Sequence, residues 1–258
     1  MQKNNHISII TEHLPQCISC RVRERALYKQ VPKDALVNSQ QYRKYQLSLT
    51  PKTTLYSEGT RPEFLYTLYE GWMALYQSTS SGKRQIMSFS LPGDFIGFQA
   101  NGSGKILHSA FSLTNARLCA FPRSRVKQMF AEQPMLTTQL SLMESRDLTL
   151  CQHHLMSVGR KDSHESVAFL LLELFYRAKK RIPQDYNEVE NSIAFPLTQE
   201  EIGDAVGITN VHVNRIVREY MRDGLILCQH RKLTILNEEK LAEIGGFDIA
   251  IISSNFLI

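Results

Sequence analysis

The sequence lacks any apolar run of about 18 or more residues, the length that a helix needs to cross a bilayer. Its first residues, MQKNNHISIITEH, also lack the charged and then apolar pattern of a secretory signal. Five cysteines are an odd number, which favours free or metal-bound thiols in a reducing compartment over disulfide pairs. We therefore expect a cytoplasmic protein without a membrane partner.

Enzyme motifs are missing as well. The sequence contains no nucleophile elbow and no HExxH helix, and GSGK at residues 102–105 is too short for a phosphate-binding loop. No two acidic or nucleophilic groups can be nominated as a convergent pair, so we do not expect catalysis. Apolar residues make up 43% and charged residues 21% of the 258 residues, which is ordinary for a globular chain that buries its own core.

Charge is not concentrated in one candidate nucleic-acid domain. The net charge is +5. Most of the excess of lysine and arginine lies in the first half of the chain, and the basic and acidic residues of segment 159–237 balance. A nucleic-acid partner must therefore be argued from where individual charges lie.

Regularly spaced glycines divide the first half of the chain at Gly59, Gly71, Gly82 and Gly93. The runs between them are short and aromatic-rich, such as EFLYTLY and WMALYQS, and they end at turn signals such as SSGK. This pattern predicts a β sandwich, barrel or jelly roll over residues 36–133. Helical periods follow it, so the predicted fold class is α+β.

A long helix is predicted over residues 134–158. It carries two apolar stripes, the second of which contains Leu148, Cys151 and Leu155. A helix that is apolar on two sides must be covered on two sides, and we predict that the barrel covers one side and a second copy of the chain the other. The alternative is a helix buried within one subunit. We assign the homodimer contact to the first stripe, with its polar members setting the register: Leu136, Leu140, Met143, Asp147, Leu150 and His154.

Segment 159–237 contains the most informative pattern, LTQEEIGDAVGITNVHVNRIVREYMRDGLI. Thr198 and Glu201 have the spacing of a capping box, so a helix begins there. Gly207 allows a tight turn, and Thr209 can cap a second helix. With Ala205 as the small residue where the helices cross, the pattern predicts a helix-turn-helix. The next apolar runs, LILCQ and KLTIL, predict a β-hairpin wing.

One face of the second helix is predicted to meet DNA. Val213, Ile216, Val217 and Tyr220 fall together on the helical wheel and should face the core. The opposite face carries arginines, which can pair with guanine or phosphate, and an asparagine, which can pair with adenine. The alternative is a solvated basic face on a structural helix. The predicted DNA-binding residues are Thr209, Asn210, Val211, His212, Asn214, Arg215, Arg218 and Arg222.

A glycine-spaced β module, a long pairing helix and a winged helix-turn-helix together resemble the Crp/Fnr transcription regulators, over the range 43–236. The most specific part is GITNVHVNRIVREYMRDGLI. The resemblance implies a jelly-roll sensor domain of the cyclic-nucleotide-binding type and a homodimer on palindromic double-stranded DNA, with RNA polymerase as a further partner. Arg215 stands where the family keeps a base-reading arginine, and Val211 stands where many members have glutamate.

The resemblance also bears on the effector. Members that bind cyclic AMP have a glutamate after a GDFIG-type turn and then an Arg-Ser pair for the phosphate. This chain has Phe98 and Gln99 after the turn and the pair His108-Ser109, which argues against cyclic AMP. The motif GDFIGFQANGSG instead resembles the Fnr branch, whose oxygen-sensing members hold an iron–sulfur cluster.

Cys17, Cys20 and Cys119 stand at positions of that branch's cluster ligands, and Tyr28 stands where one variant has a further cysteine. An iron–sulfur cluster usually needs four thiolates. Three readings are open: a member that has lost its cluster, a cluster with Tyr28, His13 or Asp34 as fourth ligand, and a zinc site that uses His13, Cys17 and Cys20.

The expected organisation has five segments. Residues 1–35 carry the CxxC pair, residues 36–133 form the sensor domain, residues 134–158 form the dimerisation helix and residues 159–237 bind DNA. Residues 238–258 form a tail that is either a docked strand or loose. A more remote alternative for the function is a ligand-binding adaptor that uses the helix-turn-helix to dock a partner protein.

Overall fold

The computed structural model describes residues 6–12, 14–98 and 104–253. The chain divides into two compact units, Met1–Gln77 with Ser88–Ser145, and Ser78–Met87 with Arg146–Ile258. The boundary therefore falls inside the long helix, whereas the sequence predicts domain boundaries at its ends. None of the helices that the structure describes is both long enough and apolar enough to pass through a membrane.

Two β-sheets are built almost entirely from residues of the first unit, and only β6 has most of its residues in the second. One sheet has the strand order β1-β2-β9-β4-β7 and the other β3-β8-β5-β6, so neighbours in the sheets are often distant in the chain. This arrangement confirms the predicted β module, and β1, β2 and β3 precede the first strand that the glycine spacing predicts. The strands are β1 (Ile7–Ile10), β2 (Tyr45–Leu49), β3 (Thr54–Tyr56), β4 (Phe64–Glu70), β5 (Met73–Ser78), β6 (Arg84–Ser90), β7 (Phe95–Ile96), β8 (Ser109–Ser112) and β9 (Ala116–Pro122).

The helices of the first unit lie between β1 and β2 and after β9 in the chain. They are α1 (Lys33–Ser39), α2 (Val126–Glu132) and the first half of α3 (Pro134–Arg160). The main core lies among the strands, where Leu68, Met73 and Leu118 have no exposed surface. A second cluster joins the segment before α1, through Leu27 and Val31, to the start of α3.

This second cluster contains part of the helix stripe that the sequence assigns to the dimer contact. Leu136, Leu140 and Met143 are buried in it, and they pack with the segment before α1 inside the same subunit. The helix stripe alone cannot show which partner covers it, and here the partner is the chain's own N-terminal segment. These three of the six residues assigned to the dimer contact are therefore covered within their own subunit. The other three have separate environments: the side chain of Asp147 accepts from Arg146, Leu150 is buried, and His154 is hydrogen-bonded to Glu173.

The second stripe of α3 is the exposed one. Leu148 is 60% exposed and Leu155 is 74% exposed, and Cys151 between them is exposed as well. These three residues are spaced at intervals of three and four, so they lie on one face. Large exposed apolar residues on one helical face are typical of a contact with another chain.

The second unit is built around α4 (Ser163–Arg181), which is buried along most of its length. A capping box between Asp162 and Glu165 starts this helix. A three-stranded sheet has the order β10-β12-β11. The remaining elements are β10 (Ser192–Ala194), α5 (Gln199–Val206), α6 (Asn210–Arg222), β11 (Ile226–Gln229), β12 (Lys232–Ile235), α7 (Glu238–Gly245) and α8 (Ala250–Ser253).

The C-terminal tail differs from both expectations, a docked strand or a loose segment. It begins with α7, whose N-cap is Asn237, and α7 packs on α4. The ring of Phe247, just beyond α7, stacks on Tyr176 with 5.7 Å between the ring centres. The sequence analysis missed the helix because its eight residues carry only a short apolar pattern.

A buried charge cluster lies at the centre of the second unit. The fully buried carboxylate of Glu173 accepts from His154 Nε2 at 2.5 Å and from Arg177 Nη1 at 2.7 Å. The other ring nitrogen of His154 lies 3.3 Å from the carbonyl oxygen of Met87. Since a carboxylate and a carbonyl only accept, the imidazolium form of His154 is the one that can donate to both.

The charges in this cluster shift one another's pKa. Burial disfavours the charged form of His154, but the carboxylate of Glu173 outweighs it, and the pKa of His154 is raised. Burial likewise disfavours the carboxylate, but His154 and Arg177 together hold the pKa of Glu173 well below its ordinary value. The charged form of each member therefore depends on the charges of the others.

We expect the free energy of unfolding to fall as the pH rises through the raised pKa of His154. The folded protein binds this proton more tightly than the unfolded chain does, so the contribution is complete below pH 6.5 and is lost on deprotonation. Each unit of separation between the two pKa values contributes about 1.4 kcal/mol. Urea denaturation at several pH values measures the effect, and His154→Gln should flatten it, because glutamine donates to Glu173 but does not titrate.

His164→Gln is the matched control, since His164 forms an exposed ion pair with Glu219 at 2.8 Å. Exposed ion pairs contribute little to stability, so this variant should keep most of the wild-type pH dependence. Identical pH profiles for the wild type and His154→Gln would contradict the prediction.

Candidate nucleic-acid interface

The helices α5 and α6 begin and end at the residues that the sequence indicates. Thr198 Oγ1 accepts from the backbone N–H of Glu201 at 3.3 Å, and the Glu201 carboxylate accepts from the backbone N–H of Thr198 at 2.7 Å. Gly207 ends α5 in the left-handed conformation with φ of 78°. Thr209 then caps α6 by accepting from His212 N–H at 3.3 Å. These contacts confirm the predicted capping box, turn and second cap.

The residue at the crossing of the two helices is Gly203, and the assignment of Ala205 to this place is wrong. A Cβ atom on Gly203 would lie 2.5 Å from the carbonyl oxygen of Ile208, so only glycine fits. Ala205, two positions further along α5, is half-buried, and its carbonyl accepts from Gln85 at 2.9 Å. Sequence analysis finds a small residue near the crossing, but the closest approach depends on how the helices pack.

The outward face of α6 carries the residues that the helical wheel places there. Val213, Ile216, Val217 and Tyr220 are buried, as predicted. On the opposite side Val211 is 76% exposed. This side borders an open groove with a volume of about 820 Å³, lined by Gln199, Asn210, Val211, Asn214, Arg215, Arg218, Glu219 and Arg222.

Arg215 is positioned by two neighbours on its own helix. Its Nη2 lies 2.9 Å from His212 Nε2, and its Nε lies 3.9 Å from the carboxylate of Glu219. A guanidinium only donates, so His212 Nε2 accepts and the ring proton is on Nδ1. Hydrogen bonding to His164 lowers the pKa of Glu219, and this carboxylate stays charged beside Arg215. The guanidinium is thereby oriented while its side chain stays 64% exposed.

The other two arginines lie further along the same face. Arg222 pairs with Asp223 at 2.9 Å, and this contact raises the pKa of Arg222. Within the described ranges Arg218 makes no hydrogen bond or ion pair, and its side chain is exposed. Thr209 and Asn210 are exposed at the start of α6. The structure therefore brings all eight predicted DNA-binding residues to the start or the outward side of one helix, and it adds Gln199 of α5, which sequence analysis did not identify.

The predicted wing is present. β11 and β12 pair antiparallel, and the turn between them places His230 and Arg231 at φ of 53° and 58°. Two consecutive positive φ values match a two-residue turn whose twist suits a hairpin, although such turns favour asparagine and glycine. Lys232, next to the turn, is bound by Glu190. Arg231 is thus the exposed cation at the wing tip.

Two family models match the chain, each in one of the two regions described above. A cyclic nucleotide-binding domain matches residues 46–133, and a Crp-like helix-turn-helix domain matches residues 165–244. The chain belongs to the Crp/Fnr family of transcription regulators. Members of this family bind DNA and act as dimers, and this chain is a Crp/Fnr-type transcription regulator.

Named relatives agree over most of the chain. The transcriptional activator protein FnrL of Cereibacter sphaeroides is 27% identical over 91% of this chain and 94% of its own length. The fumarate and nitrate reduction regulatory protein of Escherichia coli is 26% identical over 75% of each chain. The solved structure of FixK2 from Bradyrhizobium japonicum superposes with a TM-score of 0.69 and 25% identity, over 79% of this chain and 98% of its own.

The three cysteines of the resemblance lie close together in the first unit. Burial raises the pKa of Cys17 to about 11 and that of Cys20 above its ordinary value, and the neighbouring cysteines add to both shifts. Gln46 Nε2 donates to Cys119 Sγ at 3.2 Å, and Arg43 lies 4.0 Å from the same sulfur. In this arrangement Cys17 and Cys20 are neutral thiols at neutral pH.

These residues do not fit a four-thiolate cluster. Tyr28 is buried, and its hydroxyl donates to Met129 Sδ at 3.2 Å, so it points to a protein partner. Asp34 is exposed on α1, and His13 lies outside the described residues. Across the described ranges, no group of three His, Cys, Asp or Glu side chains is arranged to hold a metal ion. Cys17, Cys20 and Cys119 supply three thiols at this place, where such a cluster usually has four.

We expect Gly203→Ala to destabilise the helix-turn-helix by about 1–3 kcal/mol, because the added methyl group would collide with backbone that cannot easily move. Gly159→Ala is the control within a helix, since a Cβ there meets nothing within 4 Å. Alanine has the higher helix propensity, so the control should be stabilised by up to about 1 kcal/mol. Thermal and urea denaturation measure both, and equal shifts in the two variants would refute the close approach.

Proposed function

We propose that the chain binds double-stranded DNA as a homodimer, in the cytoplasm, with each α6 in one major groove of a palindromic site. The half-sites would then lie about one helical turn apart. The observation that carries the proposal is the strip Val211, Asn214, Arg215 and Arg218, which lies along the open groove opposite the buried face of α6.

The residues of this strip have different roles. Arg215 is oriented and exposed, and its fork of donors fits guanine O6 and N7. Asn214 can pair with adenine, and the exposed side chain of Val211 can contact a thymine methyl group. Arg218 and Arg222 lie towards the end of α6 and suit phosphates, which position the protein without reading sequence. Thr209, Asn210 and His212 surround the N-terminal end of the helix.

The dimer contact is best supported on the exposed stripe of α3. Leu148, Cys151 and Leu155 are exposed in the single chain and lie on one face, so a second copy can cover them. The buried residues Leu136, Leu140 and Met143 then support this helix from within each subunit. The pairing follows the expectation that a helix apolar on two sides needs two partners.

The signal that changes DNA binding is not cyclic AMP in this proposal. A cyclic phosphate buried in a pocket needs a cation. His108 stands in place of the arginine, and burial lowers its pKa, while its Nε2 is hydrogen-bonded to Tyr56 Oη at 2.9 Å. The thiols of Cys17, Cys20 and Cys119 offer a second site for a signal, and the iron–sulfur reading lacks a fourth thiolate.

RNA polymerase is a proposed partner, because relatives such as FnrL are named as transcriptional activators.

We expect Arg215→Ala to lower affinity for a selected palindromic duplex by about tenfold or more, because a bidentate guanine contact is worth about 1–3 kcal/mol. Lys180→Ala removes an exposed cation of the same unit from the far end of α4 and is the charge-matched control. Mobility shift and fluorescence anisotropy measure both variants. Equal affinities of Arg215→Ala and the control would refute the assigned face.

The salt dependence of the same titrations separates DNA binding from the adaptor alternative. Contacts to phosphates release counterions, so affinity should fall steeply as salt rises. An adaptor that only docks a protein partner would show no DNA affinity that falls steeply with salt concentration.

We expect Leu155→Glu to shift the protein towards monomer, because a charge in an apolar contact must be desolvated without a partner. Analytical ultracentrifugation at micromolar concentration measures the shift. Val189→Glu is the control, since Val189 is 96% exposed in a loop. A variant Leu155→Glu that sediments like the wild-type dimer would remove this face from the interface.

A further inference from the structure

An amide pair connects the two helices of the helix-turn-helix at the edge of the groove. Gln199 is the first residue of α5, and Asn214 lies in the second turn of α6. Asn214 Nδ2 donates to Gln199 Oε1 at 2.7 Å, and both side chains are half-buried and line the groove. Asn214 is therefore held by a residue that lies outside its own helix.

The hydrogen bond fixes which end of the Asn214 amide is the nitrogen. The oxygen and the nitrogen of an amide are similar in size, and the last torsion of asparagine is broad and close to two-fold, so packing alone does not choose between the two orientations. In the structure Gln199 turns Oε1 towards α6, and since an amide oxygen only accepts, the nitrogen of Asn214 must face it.

This orientation leaves the groups that adenine requires. Nδ2 carries two protons, and the bond to Gln199 uses one of them. The second proton can reach adenine N7, while Oδ1 accepts from adenine N6. A flipped amide would place its donor against the N6 donor, which is the wrong pairing.

Two neighbours of Asn214 on α6 do not hold its amide in this way. The guanidinium of Arg215, next in the chain, is held by His212 and Glu219. Val211, one turn before Asn214 on the same side, is apolar and offers neither a donor nor an acceptor from its side chain. The orientation of Asn214 thus depends on Gln199.

We propose that Gln199 is a positioning residue that makes Asn214 select adenine at one position of each half-site. The proposal rests on the function proposed above, and it adds to that function a residue of α5 that sets sequence preference without reading the base itself. Loss of Gln199 should relax one position of the site and leave the others unchanged.

The test uses the full-length protein and a library of random duplexes. Selection with the wild type gives the preferred site, and fluorescence anisotropy on duplexes with single base-pair changes gives the preference at each position. We expect an adenine preference of about tenfold at one position per half-site. Gln199→Ala should reduce that preference to less than about threefold, and the preference at the guanine assigned to Arg215 should stay as in the wild type.

Further variants separate positioning from folding. Gln199→Glu keeps an acceptor oxygen and should keep the adenine preference, although its negative charge near phosphates should weaken binding to all duplexes equally. In a double-mutant cycle Gln199→Ala and Asn214→Ala should be non-additive at this position, because both remove the same contact. Gln184→Ala, in an exposed segment of the same unit, is the control and should match the wild type.

Each failure has its own meaning. A uniform loss of affinity in Gln199→Ala, or an unchanged adenine preference, overturns the positioning role and leaves DNA binding intact. Loss of the adenine preference in Gln199→Glu as well as in Gln199→Ala also overturns it. A wild-type protein that selects no sequence overturns the proposed function and this inference together.

Discussion

The burial of one face of α6 is the constraint on which the DNA-binding surface depends. Val213, Ile216 and Val217 fix the rotation of the helix about its axis, because turning it would expose them to water. Tyr220 adds a fixed point, since its hydroxyl donates to the backbone carbonyl of His164 at 2.7 Å. With rotation and position fixed, Val211, Arg215 and Arg218 can only lie on the opposite side. The proposed sequence readout therefore follows from packing.

The charges around this surface explain how a segment of balanced charge can bind an anion. The acidic residues beside the arginines are each engaged: Glu219 with His164, Asp223 with Arg222, and Glu190 with Lys232. They orient neighbouring cations instead of cancelling the outward face. Among the described residues Arg218 has no such partner, so it adds positive charge directly to the groove. Local placement outweighs net charge here, because opposite charges beyond about 10 Å are screened at moderate salt.

The helix-turn-helix could be predicted from the sequence because its signals are local. Caps act within three residues, as between Thr198 and Glu201, and the apolar period of α6 needs only one helix to be read. The partner of each apolar stripe of α3 could not be predicted, because a stripe shows that a face is buried but not which residues bury it. Leu136 is covered by residues about a hundred positions earlier, which no periodicity shows. The sequence also does not predict that Gly203 lies at the helix crossing or that Gln199 contacts Asn214. Both contacts depend on how α5 and α6 approach each other.

The family resemblance implies a ligand at two places of the sensor unit, one around His108 and one around the cysteines, and the two places share a feature. Neutral side chains there already bond to each other or to the protein. His108 bonds Tyr56, Tyr28 bonds Met129 Sδ, and Gln46 bonds Cys119 Sγ.

A ligand at either place must break a buried hydrogen bond before it gains one, and an unsatisfied buried polar group costs about 1–3 kcal/mol. Burial also keeps Cys17 protonated, since its pKa is raised to about 11, so a metal must first displace that proton. A signal that acts at the thiols must therefore compensate for both costs, and soft, thiol-directed chemistry meets that requirement better than an anionic nucleotide does, because sulfur is the group that this place offers.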